Sequence, residues 1–140
     1  MSSDSAPLIM RIAAAVIRDG QGRFLLVRKR GTTAFMQAGG KIESGETSLA
    51  ALQRELLEEL GLAVEAGEAK FLGCFEADAA NEPGHKVRAD LFELFLDDQV
   101  APAAEIEELI WLSPSAPEIP ILAPLTRDHV LRLSRQTNEH

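Results

Sequence analysis

The stretch GKIESGETSLAALQRELLEELGL, from Gly40 to Leu62, organises this chain of 140 residues. Its second half carries leucines at helical spacing, which form one apolar stripe: Leu49, Leu52, Leu56 and Leu60. Such a stripe predicts an amphipathic helix from about Thr47 to Leu60 that packs against a core. Gly61 is suited to end this helix, because glycine readily takes the left-handed conformation of a helix C-cap. The first half is predicted to be a loop punctuated by glycines.

Three glutamates lie together on one flank of the predicted helix, namely Glu55, Glu58 and Glu59. Carboxylates three or four positions apart are neighbours, and such like-charge pairs repel by roughly 0.2–0.5 kcal/mol. The last turn also presents the negative end of the helix dipole, where lysine or arginine would be the stabilising choice. A bound divalent cation explains the arrangement, since hard ions take carboxylate oxygens as ligands. A solvated acidic face partly relieved by Arg54 explains the helix equally well when it is considered alone.

The spacing of the whole stretch favours the metal site. It reads Gly40, five residues, Glu46, seven residues, Arg54-Glu55-Leu56, one residue, Glu58-Glu59, one residue, Gly61-Leu62. This pattern resembles the Nudix box, the signature of the Nudix hydrolases, with every fixed position filled. The resemblance is sharp over this stretch and general over the rest of the chain.

The resemblance implies a hydrolytic site built on the helix. It implies that Glu55, Glu58 and Glu59 hold Mg²⁺ or Mn²⁺ and that one of them, or a later glutamate, deprotonates the attacking water. Arg54 belongs to the same catalytic set. Glu46 lies about two turns before Arg54, and the guanidinium and carboxylate are expected to pair and orient their neighbours.

Two further metal ligands are implied outside the helix. The backbone carbonyl of Gly39 is one, because glycine lets the main chain approach a ligand closely. The other is Glu105, which lies upstream of Trp111 where many Nudix hydrolases carry an acid that completes the metal site or acts as base. Glu108 is the alternate for this role.

Four residues are predicted substrate contacts. Arg28 and Lys41 offer positive charge to a phosphate, Phe35 offers a ring to a base, and Arg88 lies near a predicted loop. Each has a structural interpretation as well: Arg28 lies at a solvated strand end, Lys41 contacts only water, Phe35 packs in the core and Arg88 is a structural arginine. The chain also departs from a common family pattern by carrying Gln37-Ala38 in place of Leu-Pro before Gly-Gly. The resemblance therefore implies the chemistry but not the identity of the substrate.

Composition limits the class of protein. Hydrophobic residues make up 46% and charged residues 26% of the chain, which is typical of a globular domain. We expect a flexible leader over residues 1–7 and a single domain over residues 8–140. The net charge of −8 argues against nucleic-acid or anionic-membrane partners, and Cys74 is the only cysteine, which excludes an internal disulfide. No run reaches transmembrane length and no signal peptide is recognisable, so we expect a cytoplasmic protein.

The pattern of apolar residues predicts an α/β or α+β fold. The chain is predicted to begin with a hairpin of two strands, Leu8 to Arg18 and Arg23 to about Arg28. After the box we expect strand material from Leu62 to Ala77, a loop from Asp78 to His85 and a strand from Lys86 to Leu96. A C-terminal helix is predicted from Leu122 to Arg135, with these residues partly buried: Leu125, Val130, Leu131 and Leu133. The resemblance makes this more specific: it implies the Nudix fold, an α/β/α sandwich with a mixed β-sheet.

The resemblance implies a metal-dependent pyrophosphohydrolase. Its substrate is expected to be a nucleoside diphosphate derivative, such as a dNTP or oxidised dNTP, a dinucleotide or a nucleotide sugar, and homodimers are frequent among relatives. Two alternatives remain open: a non-catalytic domain that senses nucleotides, and an enzyme acting on a non-nucleotide diphosphate such as an isoprenoid or inositol diphosphate.

Overall fold

The computed structural model describes residues 8–97 and 99–132, which form a six-stranded sheet with a helix on each face. The strands are β1 (Leu8–Arg18), β2 (Phe24–Lys29), β3 (Ala38–Lys41), β4 (Lys70–Asp78), β5 (His85–Phe95) and β6 (Ile106–Leu112). Helix α1 covers Ser48–Leu60, a 3₁₀ turn covers Ala66–Glu68, and α2 covers residues 124–132 with a π-helical turn over Thr126–Val130. The predicted leader, and the end of the predicted last helix including Leu133, lie outside the described residues.

The sheet is mixed, as predicted. Its order is β4-β5-β1-β2-β6, with β3 paired to β1. Strands β1 and β5 run parallel along their whole length, whereas the other pairs are antiparallel. The second edge of β1 is shared, because residues 12–15 pair with β3 and Arg18 pairs with Phe24 at the start of β2. This arrangement places β3 directly beside the centre of the sheet.

Apolar residues on both faces of the central strands build two cores. Ala13, Ala15 and Ile17 of β1 face the core shared with α1, while Ala14 and Val16 face the core shared with α2. Leu52 and Leu56 of α1 and Val130 of α2 are fully buried against these faces. The predicted α/β/α sandwich is therefore confirmed.

Helix α1 has the predicted ends. The Thr47 side chain accepts a hydrogen bond from the Ala50 N–H at 3.1 Å, which caps the first turn. Gly61 takes the left-handed conformation with φ of 64°, and its N–H donates to the Leu57 carbonyl at 3.0 Å. Within α1, the last turn contains no basic residue, and Arg54, one turn earlier, is the helix cation that lies 3.7 Å from Glu58.

The structure shortens the predicted glycine loop before α1 to residues 42–47. Gly39 and Gly40 lie in β3 rather than in a loop, and Gly39 pairs with Ala14 of β1. A Cβ atom at Gly39 would lie 2.1 Å from the Ala13 carbonyl oxygen, and its φ is 149°. Glycine is therefore needed because the two backbones approach too closely for a side chain.

The last predicted helix begins later than expected. Leu122 forms a bridge with Phe35, and the helix starts at Pro124, a residue suited to a first helical turn. The strand predicted within Leu62 to Ala77 is confined to β4, and its register shifts between Phe71 and Gly73. In the described ranges, no helix is long and apolar enough to cross a membrane.

Candidate active site

Glu59 is the buried acid of the site. It lies on the edge of the leucine stripe of α1, and only 3% of its surface is exposed. Its Oε1 accepts a hydrogen bond from the Gly39 N–H at 3.1 Å, which links α1 to β3. Burial raises the pKa of Glu59 to about 8; repulsion from Glu55 and Glu105 adds to this rise, while the Gly39 bond and the charge of Lys29 oppose it. Glu59 therefore changes between its protonated and deprotonated forms close to neutral pH.

Arg54 holds the acids around it in place. Its guanidinium donates to both carboxylate oxygens of Glu46, at 2.8 and 2.9 Å, and this pairing lowers the pKa of Glu46 to about 2. The same guanidinium donates to Glu55 at 2.8 Å and to the Lys41 carbonyl at 3.0 Å. The ion pair expected from the sequence is present, and it fixes the Glu55 side chain against β3.

Gly40 provides the space in which the Glu55 carboxylate lies. A Cβ atom at Gly40 would lie 2.5 Å from the carboxyl carbon of Glu55, which is too close for any side chain to coexist with this rotamer. Glu58 differs from its two neighbours because its side chain is 54% exposed and stands 3.7 Å from Arg54. The three glutamates of the box thus occupy different environments: Glu59 is buried, Glu55 is paired with Arg54, and Glu58 is exposed.

Glu105 reaches the same region from the loop before β6. Its backbone carbonyl accepts a hydrogen bond from the Arg30 N–H at 2.8 Å, and its carboxylate lies 3.5 Å from the Lys29 ammonium group. Its negative charge contributes to the raised pKa of Glu59. The alternate acid, Glu108, is instead paired with the Arg28 guanidinium at 3.0 Å. Of the two late acids, Glu105 is the one placed beside the box.

The donor chemistry fits a hard divalent cation. Glu55, Glu59 and Glu105 offer carboxylate oxygens, and a cation would relieve the repulsion that Glu55 and Glu105 exert on Glu59. Within residues 8–97 and 99–132, no group of three or more His, Cys, Asp or Glu side chains is already close enough to hold a metal ion. Arg54 and Lys29 hold two of these acids through ion pairs, so the ligand set stays a prediction.

A cleft of about 150 Å³ opens on the α2 side of the sheet, next to the box. Its walls are mostly apolar and include Met10, Ile12, Val87 and Leu125. At one end it is bordered by Gly39, Gly40, Lys29 and Lys41, and the loop 78–82 forms its rim. The cleft therefore combines an apolar interior with a basic end that adjoins the acids of α1.

Among the predicted basic contacts, Lys41 lines this cleft and Arg28 does not. The Arg28 guanidinium is used within the protein, since it donates to Glu108 and, at 2.8 Å, to the Thr32 carbonyl. Lys29, which the sequence did not single out, lines the cleft instead. A bulge in the pairing of β2 with β6 separates Arg28 from Lys29, and sequence periodicity carries no signal for it.

Phe35 and Arg88 also lie away from the cleft. Phe35 is 8% exposed and belongs to the core beneath α2, as its structural interpretation had it. Arg88 alternates along β5 with Val87, which lines the cleft, and therefore points to the opposite face of the sheet. There it pairs with Glu76 at 2.7 Å. Neither side chain is part of the lining of this cleft, and their contact with substrate stays a prediction.

Two polar residues that line the cleft were not predicted from the sequence as part of the site. Gln37 and Thr126 line it, and the Thr126 hydroxyl donates a hydrogen bond to the Gln37 side-chain oxygen. The sequence did contain a signal for Gln37, which lies between the apolar residues Met36 and Ala38 next to the predicted site. A buried amide in such a segment needs a hydrogen-bond partner.

The chain has a mixed sheet between two helices, and its acidic helix α1 is held against the glycine-containing strand β3. These features place it in the class of α/β/α proteins with the Nudix fold. The chain belongs to the Nudix family, since the family model described as NUDIX domain matches residues 8–133.

Individual relatives agree with this assignment. The chain is 40% identical over 58 residues to a protein named 8-oxo-dGTP diphosphatase from Haemophilus influenzae, and this match covers 39% of the chain and 43% of that protein. The chain thus matches less than half the length of this relative. A MutT protein from Methanosarcina mazei Go1 has a TM-score of 0.76 at 21% identity, with coverage of 99% of this chain and 100% of that one. A MutT NUDIX hydrolase from Burkholderia pseudomallei has a TM-score of 0.69 at 22% identity, with coverage of 91% and 96%. These two structures support the fold.

Proposed function

We propose that this protein is a Nudix pyrophosphohydrolase that cleaves the diphosphate of a nucleoside diphosphate derivative by attack of water at phosphorus. The observation that carries the proposal is the buried Glu59, which is hydrogen-bonded to Gly39 and has a pKa of about 8, in a chain with a complete Nudix box. With a pKa near the working pH, Glu59 is suited either to hold the cation in its deprotonated form or to take a proton from water, and the choice between these two roles stays open. The proposed location is the cytoplasm, and assembly as a homodimer stays a prediction.

The residues that would hold Mg²⁺ or Mn²⁺ are Glu55, Glu58, Glu59, Glu105 and the carbonyl of Gly39. When bound, such an ion neutralises charge on the diphosphate oxygens and lowers the pKa of water. Arg54 positions Glu55 through the bonds described above. Lys29 and Lys41 supply positive charge where the cleft meets the box. This charge offsets the repulsion that an anionic substrate would otherwise meet at a protein of net charge −8.

The organic part of the substrate is proposed to occupy the apolar cleft, with its diphosphate over Gly39 and Gly40. The named activity of the Haemophilus influenzae relative makes canonical and oxidised dNTPs the first substrates to test. Dinucleoside polyphosphates, nucleotide sugars and isoprenoid diphosphates complete the panel.

The test is hydrolysis of each substrate in the presence of Mg²⁺ and Mn²⁺, with Glu59→Gln measured beside the wild type. It is followed as phosphate or pyrophosphate released directly or, for dinucleoside polyphosphates and nucleotide sugars, as phosphate that an added phosphatase frees from the phosphorylated products. Glutamine can still accept the Gly39 hydrogen bond, so the variant is expected to fold while losing at least about 100-fold in kcat. Glu107→Gln is the matched control, because it removes an acid that pairs with Arg30 on the outside of β6. Wild-type turnover in Glu59→Gln would refute the role of Glu59. Ligand binding without turnover of any panel member would favour a nucleotide sensor.

A further inference from the structure

Gln37 is a buried amide that the proposed chemistry does not use. Only 5% of its surface is exposed, and it lies between Met36, which bridges to Val27, and the start of β3. Over residues 8–97 and 99–132, no protein atom forms a hydrogen bond with its Nε2. A buried N–H donor without a partner is costly, so its presence beside the cleft points to a ligand that accepts from it.

The orientation of this amide is set by α2. The hydroxyl group of Thr126, which is fully buried in the π-helical turn, donates to Oε1 of Gln37. The oxygen end of the amide is therefore occupied, and among the described residues the buried NH₂ end has no hydrogen-bond partner beside the cleft that both residues line. The side chain thus presents donors, not acceptors, to whatever binds there.

The surroundings of Gln37 indicate which part of a ligand it meets. The wall beside it is apolar and suits a flat ring, whereas the basic end with Lys29 and Lys41 suits the phosphates. An isoprenoid chain would leave the buried Nε2 unpaired, because it has no acceptor to offer. A keto oxygen has two lone pairs and satisfies an amide NH₂ directly.

We infer that Gln37 selects nucleotides whose base carries a keto oxygen at the ring position where adenine and cytosine carry their amino group, by donating a hydrogen bond from Nε2 to that oxygen. The inference rests on the proposed function, in that the cleft is taken to hold the base of a nucleotide substrate. Gln37 is thereby a specificity residue that contacts substrate. Thr126 is the residue that positions it.

The test compares kcat/KM for two matched pairs, dITP with dATP and dUTP with dCTP. Each pair differs by a keto oxygen against an amino group at one ring position, with the accompanying proton on the neighbouring ring nitrogen. The wild type is expected to prefer the keto member by about tenfold or more in at least one pair, since a site that hydrogen-bonds a substrate group rejects analogues lacking it. In Gln37→Leu this ratio is expected to fall to within about twofold, with the change appearing mainly in KM.

Thr126→Val is the control for a purely structural role. It leaves the amide in place but removes the bond that orients it, so both variants should lower the melting temperature, and the keto preference of Thr126→Val should lie between those of the wild type and Gln37→Leu. An unchanged ratio in Gln37→Leu, or a wild-type ratio near one in both pairs, would overturn the inference.

Failure of the proposed function would look different, because it would appear as no Glu59-dependent turnover of any nucleotide. Binding of dIMP against dAMP, measured by titration calorimetry with the same variants, then decides the role of Gln37. The same keto preference and its loss in Gln37→Leu are expected, and equal affinities in the wild type would reject it.

Discussion

At the scale of single residues, the site depends on carboxylates held in different environments by fixed neighbours. Glu59 has the most unusual environment, because its pKa rises from an ordinary value of 4.5 to about 8 mainly through burial. Between these two values the folded protein keeps a proton on Glu59 that the unfolded chain has lost. Stability therefore falls as the pH rises through this window, by up to about 1.4 kcal/mol per pH unit, and levels off above it.

This dependence predicts a difference between the wild type and Glu59→Gln in the absence of divalent cations. The free energy of unfolding of the wild type, measured by urea denaturation with a chelator, should decline relative to the variant between pH 4.5 and about 8. Other groups titrate in both proteins and cancel in the difference. Parallel curves over that range would show that Glu59 is not held protonated by its surroundings.

Arg54 is predicted to act by positioning the carboxylates of Glu46 and Glu55, and not only by its positive charge. Arg54→Lys keeps a cation but loses the planar fork that contacts both oxygens of Glu46 and reaches Glu55. We expect kcat to fall by roughly tenfold to 100-fold with a small change in KM, because a misplaced acid slows the reaction more than it weakens binding. Arg30→Lys serves as the control, since Arg30 pairs with Glu107 on the surface. Equal kcat values for the two variants would remove Arg54 from the positioning role.

At the scale of elements, the close contact of β1, β3 and α1 brings the site together. Gly39 allows β3 to lie against β1, and Gly40 leaves room for the Glu55 carboxylate. The two glycines therefore serve different partners, one backbone and one side chain. Substituting each by alanine separates the fold from the chemistry.

Gly39→Ala should cost more than about 2 kcal/mol of stability, because its Cβ would overlap the Ala13 carbonyl and the strand must shift. Gly40→Ala should cost less than about 1 kcal/mol but lose most activity, because the Glu55 side chain can move aside and leave its position. Gly67→Ala is the control, since no atom lies within 4 Å of a Cβ built there. Denaturation and turnover measured on all three variants test this ranking, which is wrong if Gly40→Ala remains fully active.

The elements that local pattern encodes were the ones predicted correctly. Helix α1 was predicted with its approximate start and its Gly61 C-cap because the leucine stripe and Gly61 act within one segment. Strand β3 was predicted as a loop because its glycines carry no periodicity, and only its distant partner β1 makes it a strand. The bulge beside Lys29 and the burial of Phe35 also depend on pairing with β6 and packing beneath α2, which no local pattern contains.

At the scale of the whole molecule, the parallel pairing of β1 with β5 determines where the cleft lies. It brings Met10 and Ile12 of β1 beside Val87 of β5, and α2 closes the same space with Leu125. The basic end of this space adjoins the acids of α1 in a protein of net charge −8. A cation at those acids would reduce repulsion within the fold as well as toward an anionic substrate.

Binding of a divalent cation should therefore stabilise the fold. At pH 8, saturating Mg²⁺ or Mn²⁺ is expected to raise the melting temperature of the wild type by about 5 °C or more over the chelated protein. The shift should be smaller at pH 5, because a ligand carboxylate must be deprotonated to bind and Glu59 then holds its proton. Glu59→Gln should lose most of the shift at pH 8, while Glu107→Gln should keep it. An equal shift in all three proteins would place the cation somewhere other than beside Glu59.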